Sequence, residues 1–304
     1  MARFRRLPLD RLTIQRFVNV FHSFRFAPHS CRSPLFPVLL FLFAFFVVPL
    51  FLVFGMSFST RGTYGKVEWT FTFLNYIRLF DALYLTIYLR SMAMALATTL
   101  ICLILGFPMA YWIARASSRW RTIVLVLVMI PFWTNFLVRT YAWLFLLRAD
   151  GVINTALTMG GFTSHPLKLL YTDGAVLVGL VYGYLPFMIL PLVVAIERIP
   201  LSLEEAARDL YAGSWSVLGR VIIPLARPGI IAGSLLVFIP SLGAFITPYL
   251  LGGGQSMMLG TFIQQEFLVV RDWPFGAATS FVLMSLVLVI LFGLGKHLDL
   301  VHRG

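Results

Sequence analysis

Six separate stretches of about twenty apolar residues constrain this chain more than anything else in it. They fall at roughly 35–57, 89–114, 122–147, 174–196, 229–251 and 276–295. A helix needs about 20 mostly apolar residues to cross the hydrocarbon of a bilayer. Inside lipid, only helices and closed barrels satisfy every backbone polar group, and barrel strands are shorter and alternate in polarity. The chain is therefore expected to be an all-α integral membrane protein with six transmembrane helices. Composition agrees: the 304 residues are 60% hydrophobic and 12% charged, where soluble domains carry about a quarter charged residues.

Lys and Arg collect in cytoplasmic loops. The tail before Pro34 holds Arg3, Arg5, Arg6, Arg11, Arg16, Arg25 and Arg32. The loop after the second stretch holds Arg115, Arg119 and Arg121, and the loop after the fourth holds Arg198, Arg208, Arg220 and Arg227. The C-terminal end adds Lys296 and Arg303. Both termini are thus expected to be cytoplasmic. Residues 1–33 form a basic tail, and 34–304 a membrane domain with a cytoplasmic loop at about 198–228. The net charge of +12 reads as a topology signal, not a nucleic-acid footprint. The first apolar run is too long for a signal peptide and lacks an Ala-x-Ala site, so it reads as a retained anchor.

Several function classes fall away. Cys31 and Cys102 are far apart, and His22, His29, His165, His297 and His302 are scattered, so no disulfide framework or metal site is expected. No Gly-x-x-x-x-Gly-Lys run is present, so no nucleotide or other cofactor is expected on this chain. A stand-alone secondary transporter predicts intramembrane ionisable residues for ion coupling and inverted repeats; the spans hold no Asp or Glu and no repeat is visible. A membrane enzyme finds no cluster of His, Cys or carboxylates.

Three longer segments lie on the outer side, at about 57–87, 148–173 and beyond 251. In the second, DGVINTAL reads as a short interfacial helix. In the third, SMMLGTFIQQEFLVV reads as an amphipathic one. Prolines 49, 108, 131, 186, 191, 240 and 248 fall in or beside the spans. They bend helices, which suits a pathway that opens and closes, though proline is also ordinary in membrane helices.

The loop after the fourth stretch interrupts the apolar sequence with LEEAARDLYAGSWSVLGRVIIP, 203–224. Ser202 and Glu205 have capping-box spacing, which predicts a helix from Leu203 with Leu203, Ala206, Ala207 and Leu210 on one face. Gly213 ends it, Ser214 caps a second helix carrying Trp215, Leu218 and Ile222 along one side, and Pro224 stops it. Local packing alone explains such a hairpin, but a docking element explains more of it. Ala206 and Ala207 leave a shallow surface for another backbone, and Trp215 is the kind of ring that anchors an interface.

This loop resembles the EAA loop of permease subunits of binding-protein-dependent ABC importers. The family pattern is Glu-Ala-Ala, three residues, Gly, nine residues, Ile-x-Leu-Pro. Glu205, Ala206, Ala207 and Pro224 match, with Val221 and Ile223 as conservative replacements. Tyr211 stands where the family has glycine. Because tyrosine resists positive φ, the first helix is expected to run through Tyr211 and the turn to move to Gly213. PFWTNFLVRTYAW (131–143), LVYGYLPFMILPL (180–192) and RDWPFGAATS (271–280) look like the spermidine/putrescine branch.

The resemblance implies a multi-pass subunit of the bacterial inner membrane that imports polyamines or a related small organic cation, with thiamine or iron as alternatives. It implies a second homologous permease, two ATP-hydrolysing subunits that hold ATP and Mg, and a periplasmic binding protein. It implies docking of the ATPase subunits on Glu205, Ala206, Ala207, Leu210, Gly213, Trp215, Leu218 and Pro224. No carboxylate lies in the spans, so aromatic rings take the place of acids as candidates for a cationic cargo: Trp133, Tyr141, Tyr182 and Tyr184. Packing or an interfacial belt explains the same rings. Arg139 is a charge inside a span and a candidate gate or structural group. Glu266 and Asp272 are outer acids able to meet the delivering protein, or plain solvated charges.

Overall fold

The computed structural model describes residues 35–301, with side chains from 38 to 293. The basic tail at 1–33, Cys31 and Arg303 lie outside the described residues. The described residues divide into two compact units, 35–52 and 53–301. In the first, α1 (Leu35–Leu42) passes through a wide turn at Phe43–Val47 into α2 (Val48–Ser57). The amide of Val48 bonds back five residues to Phe43, which loosens the helix just ahead of Pro49, whose ring crowds the preceding turn and which has no N–H to give.

The second unit opens with a hairpin of β1 (Thr60–Arg61) and β2 (Val67–Glu68), antiparallel with Thr60 opposite Glu68. Then follow α3 (Leu74–Arg78) and α4 (Ala82–Arg115), a single 34-residue helix. The expected third span is instead two helices, α5 (Ser118–Trp133) and α6 (Phe136–Leu147). Here α6 and α7 (Val152–Met159) together bend away from α5 by 89°. Pro131 sits near the end of α5, Thr134 is extended, and the Asn135 side chain accepts the Leu137 amide at 2.8 Å to start a new helix.

Next come α8 (Asp173–Glu197), then α9 (Leu201–Asp209) and α10 (Ser214–Val217) of the 198–228 loop. A wide turn at Leu218–Ile222 leads to α11 (Ile223–Leu225) and α12 (Arg227–Leu242). The expected fifth span also breaks: α12 stops at Leu242, and α13 (Ile246–Gly252) resumes after Gly243, Ala244 and Phe245. Gly260, on α14 (Leu259–Gln265), permits the break. A Cβ there would collide with the carbonyl oxygens of Gly243 and Ala244. A wide turn at Glu266–Val270 and then α15 (Trp273–Val301) end the described chain. Among the described residues, four helices are long and apolar enough to cross a membrane, or up to six if the bent pairs Ser118–Trp133 with Phe136–Met159 and Ser214–Leu225 with Arg227–Leu242 each count as one.

The core lies where α4, α8 and α12 pack together. Cys102, Ala110, Ile113, Met188, Ile189, Leu192, Ile196 and Val237 are buried there. Small residues let these helices approach closely: Gly229 faces Ala195 and the Pro191 carbonyl, leaving no room for a Cβ. The same cluster runs out through Val217, Ile222 and Ala226, with Ala207, Ala212 and Leu218 packed on it. The 198–228 loop is thus an extension of the core, not an appendage.

Candidate functional site: a clamped loop and a cavity between broken helices

The loop helix α9 starts earlier than the capping-box spacing predicts. Pro200 is its extended N-cap and no side chain caps it; the Leu203 amide bonds to the Pro200 carbonyl at 3.2 Å. Ser202 and Glu205 therefore lie inside the first turns and do not bracket the start. The inward face is also different from the expected one. Leu203, Ala206 and Leu210 are exposed, Ala207 is half-buried, and the residue that turns inward is Glu204, 5% exposed.

Glu204 is held by the last turns of α4. Its Oε2 accepts the Tyr111 hydroxyl at 2.9 Å and its Oε1 pairs with Nη2 of Arg115. Nη1 of Arg115 also donates to the Ile199 carbonyl at 3.2 Å. A carboxylate is tolerated at such burial only when paired and hydrogen-bonded. This clamp was missed from sequence. Its only signal was the second glutamate of Glu204-Glu205, which does not by itself reveal an inward partner.

The turn overturns the expectation for Tyr211. Helix α9 ends at Asp209, and Tyr211 itself has φ 60°, while Gly213 is extended at φ −65° and ψ 159°. The Tyr211 amide donates to Arg208 at 2.9 Å and the Ala212 amide to Ala207 at 3.1 Å. This pair of bonds, one spanning three residues and one spanning five, is a Schellman close. It needs a left-handed residue at 211, whatever the side chain. The bonds and the burial of Ala207 and Ala212 outweigh a penalty of about 1–2 kcal/mol for a left-handed tyrosine.

The second half of the loop also departs from expectation. Gly213, not Ser214, is the N-cap of α10. Trp215 points away at 86% exposed, while Leu218 is half-buried and Ile222 buried. Pro224 does not stop the helix. The Ile223 amide bonds back five residues to Leu218, and this wide turn accommodates the proline. The break comes at Ala226, with a bend of 71° between Ser214–Leu225 and Arg227–Leu242. Of the expected docking set, Glu205, Ala206, Leu210, Gly213 and Trp215 are exposed, whereas Ala207, Leu218 and Pro224 are half-buried.

The breaks between Trp133 and Phe136 and between Leu242 and Ile246 face one another across a cavity of about 470 Å³. Phe132, Phe136 and Arg139 line it from one side, Gly243 to Ile246 from the other, and Tyr184 and Phe187 from α8. The Arg139 guanidinium carbon is 5.5 Å from the Phe136 ring centroid, and its buried Nε and Nη1 have no hydrogen-bond partner among the described residues. Tyr184 donates to the Pro240 carbonyl at 3.3 Å. No Asp or Glu is among the lining residues. Arg139 and Tyr184 are therefore brought together, and Trp133, Tyr141 and Tyr182 are not. Trp133 is 78% exposed, and Tyr182 packs edge-on against Trp143 at 5.6 Å. The phenylalanines were missed; the only signal was Phe132 next to Pro131 and Phe187 next to Pro186.

At the opposite end, Glu266 and Asp272 are not surface acids, at 7% and 3% exposed. Asp272 pairs with Arg78 at 2.9 Å and accepts the Phe275 amide at 3.2 Å, capping α15. The Arg78 guanidinium lies 3.9 Å from the Phe275 centroid. Burial pushes the Glu266 carboxyl above its ordinary range. Asp272 adds to the rise, and Arg78 and Arg61 oppose it. Among the described residues, no group of three or more His, Cys, Asp or Glu is placed to hold a metal.

Residues 103–299 match the family described as binding-protein-dependent transport system inner membrane component. The chain belongs to that family. It is 42% identical over 261 residues to the spermidine/putrescine transport system permease protein PotB of Escherichia coli K12, covering 85% of this chain and 95% of that one. PotB of Haemophilus influenzae is also 42% identical, over 85% and 91%. The molybdenum transport system permease protein ModB of Azotobacter vinelandii is 32% identical over 58% and 76%. In fold, the permease is similar to a bacterial ABC transporter that imports the acidic polysaccharide alginate. The TM-score is 0.63 at 18% identity, over 95% of this chain and 98% of that one. The permease is thus a multi-pass membrane protein of the ABC importer class, homologous to PotB.

Proposed function

We propose that this permease imports a polyamine, spermidine or putrescine, as one of two membrane-spanning subunits of an ATP-driven transporter. The observation that carries the reading is the 42% identity to PotB across 85% of the chain. In this reading the chain crosses the membrane six times, with both termini and the 198–228 loop on the cytoplasmic side. A periplasmic binding protein delivers the solute. Two partner subunits bind Mg-ATP, hydrolyse it, and dock on the exposed face of α9 and α10. This chain is not itself catalytic.

The geometry supplies a mechanism. The Arg115–Glu204 clamp makes α9 move with the end of α4, so a push on the loop reaches the helices around the cavity. The rings of Phe132, Phe136, Tyr184 and Phe187 offer π faces to an ammonium group. The missing carboxylates would come from a second, homologous permease across the pathway.

The test is reconstitution of the full transporter in proteoliposomes. ATP-dependent accumulation of labelled spermidine, competed by putrescine and not by thiamine or ferric iron, is expected. Uptake of thiamine or iron in its place would overturn the cargo. A second reading, import of an anionic solute, is favoured by one observation: Arg139 lines the cavity with two unpaired donors and no acid accompanies it. Competition by an oxyanion in the same assay separates the two.

A further inference from the structure

Between Glu68 and Arg78 the chain reads WTFTFLNYI, with no charged residue. This segment lies outside the six apolar stretches, yet it is turned inside out compared with a loop in water. Its polar groups face inward. Asn75 is buried, and its side-chain amide donates to the carbonyls of Ser57 at 3.0 Å and Ser59 at 2.8 Å. The hydroxyls of Ser57 and Tyr76 are 2.8 Å apart. Its apolar side chains face outward: Trp69, Phe71, Phe73, Leu74 and Ile77 are each more than half exposed. A soluble surface rarely shows so many large apolar groups together.

This face continues the surface of the membrane helices. A chain of rings runs from Phe281 of α15 through Phe54 of α2 and Phe58 to Phe71 and Phe73, with successive centroids 5.0–5.5 Å apart. Trp69 folds back beside the last turns of α2, where its ring is 3.4 Å from the place a Cβ on Gly55 would take. Phe51, Leu52 and Phe54 of α2 are exposed in the same way. Irregular backbone meets hydrocarbon only where its polar groups are satisfied within the protein. Here the amides of Thr70, Thr72, Leu74, Tyr76 and Ile77 all donate inside the chain, and Asn75 covers carbonyls that the end of α2 leaves open. A docking face for a soluble protein carries a polar, charged rim, which 69–77 lacks. The nearby charges are set apart, with Arg61, Lys66 and Glu68 on the β1–β2 hairpin and Arg78 turned to Asp272 at 2.9 Å.

We infer that residues 69–77 are a membrane-interface anchor, with lipid as the occupant of their exposed face. The rings lie at the boundary between acyl chains and headgroups where α2 ends, as aromatic belts do, and the β1–β2 hairpin stands in water beyond them. The anchor also sets the level of α15, because Arg78 at the end of α3 holds Asp272 at the start of that helix.

The experiment uses the full chain in its assembled transporter in lipid bilayers, with Cys31 and Cys102 replaced by alanine. Single nitroxide labels are placed through Phe71→Cys, Leu74→Cys and Ile77→Cys. Ile104→Cys, exposed midway along α4, is the lipid standard, and Tyr64→Cys, at the hairpin tip, is the water standard. Labels at 71, 74 and 77 should collide with oxygen, which concentrates in lipid, more than with a water-soluble nickel chelate, and the reverse should hold at 64. Nickel-dominated collisions at 71, 74 and 77 place the face in water, open to a delivering protein, and overturn the inference. Access to neither reagent means that another subunit covers the face, and overturns it as well. A second measurement leaves the cysteines alone. The fluorescence lost in Trp69→Phe should be strongly quenched in bilayers brominated near the top of the acyl chains, and emission unaffected by bromine also overturns the inference.

Discussion

Removing Arg115 should release the loop from the bundle. The Arg115 and Glu204 side chains are 16% and 6% exposed, so the pair counts as buried and is little screened. In Arg115→Ala the Glu204 carboxylate keeps only the Tyr111 hydroxyl. Breaking one side of a buried pair costs about 3–5 kcal/mol. The apolar contacts of Ala207, Ala212 and Leu218 remain, so the loss falls on local opening of the loop rather than on the whole bundle. The amides of Leu210, Tyr211 and Ala212, bonded to Ala206, Arg208 and Ala207, should exchange hydrogen about 10²–10⁴-fold faster. Hydrogen exchange with mass spectrometry on peptides spanning 201–213 measures this. Replacing the pair together, as Arg115→Met with Glu204→Leu, should recover most of the protection, because apolar residues of similar size substitute well for a buried ion pair. The reasoning fails if the single variant exchanges at the wild-type rate, or if the double variant is as fast as the single one.

Three further outcomes are expected. Phe136→Leu keeps an apolar side chain in the cavity but removes a π face, and should lower kcat/KM for spermidine uptake by about 2–30-fold; unchanged uptake places the cavity off the route. Gly260→Ala drives a Cβ into two backbone oxygens and should destabilise the fold by about 1–3 kcal/mol. Gly254→Ala, with open space around it, should not, and thermal unfolding in detergent compares them. Glu266 has a raised carboxyl pKa, so its contribution to stability is fully present below its unfolded pKa and is lost as pH rises through the folded value. Glu266→Gln should therefore melt higher than wild type at neutral pH and equally at low pH; parallel melting curves across that window would remove the assignment.

The helices were legible from apolar length because the requirement is local: about twenty residues long enough to span, whatever they pack against. The two breaks were not legible. Pro131 and Pro240 announced bends, but a bend becomes a break only when something satisfies the freed backbone groups. Asn135 does this for one helix start; at the other, the absence of a side chain on Gly260 leaves room for the Gly243 and Ala244 carbonyls. The loop helices were also legible, through the alanines and the spacing to Pro224. Their orientation was not, because it is set by Arg115 and Tyr111, about ninety residues earlier in the chain.

That orientation is what makes the loop informative. An ordinary surface helix buries its apolar stripe and shows its charges. Helix α9 does the reverse in part: it buries Glu204 and shows Leu203, Leu210 and, just past its end, Tyr211. Turning the helix over would bury the leucines but leave Arg115 without a carboxylate, so the ion pair dictates which face looks outward. A free surface gains nothing from this inversion, since exposed apolar groups add no stability and a buried carboxylate needs its partners. The inversion is what the proposed docking of a partner on the outward face would require. The same buried pair that orients the face also ties it to α4. If the proposed docking holds, the face that meets the partner and the residues that carry its movement into the membrane are two sides of one short helix.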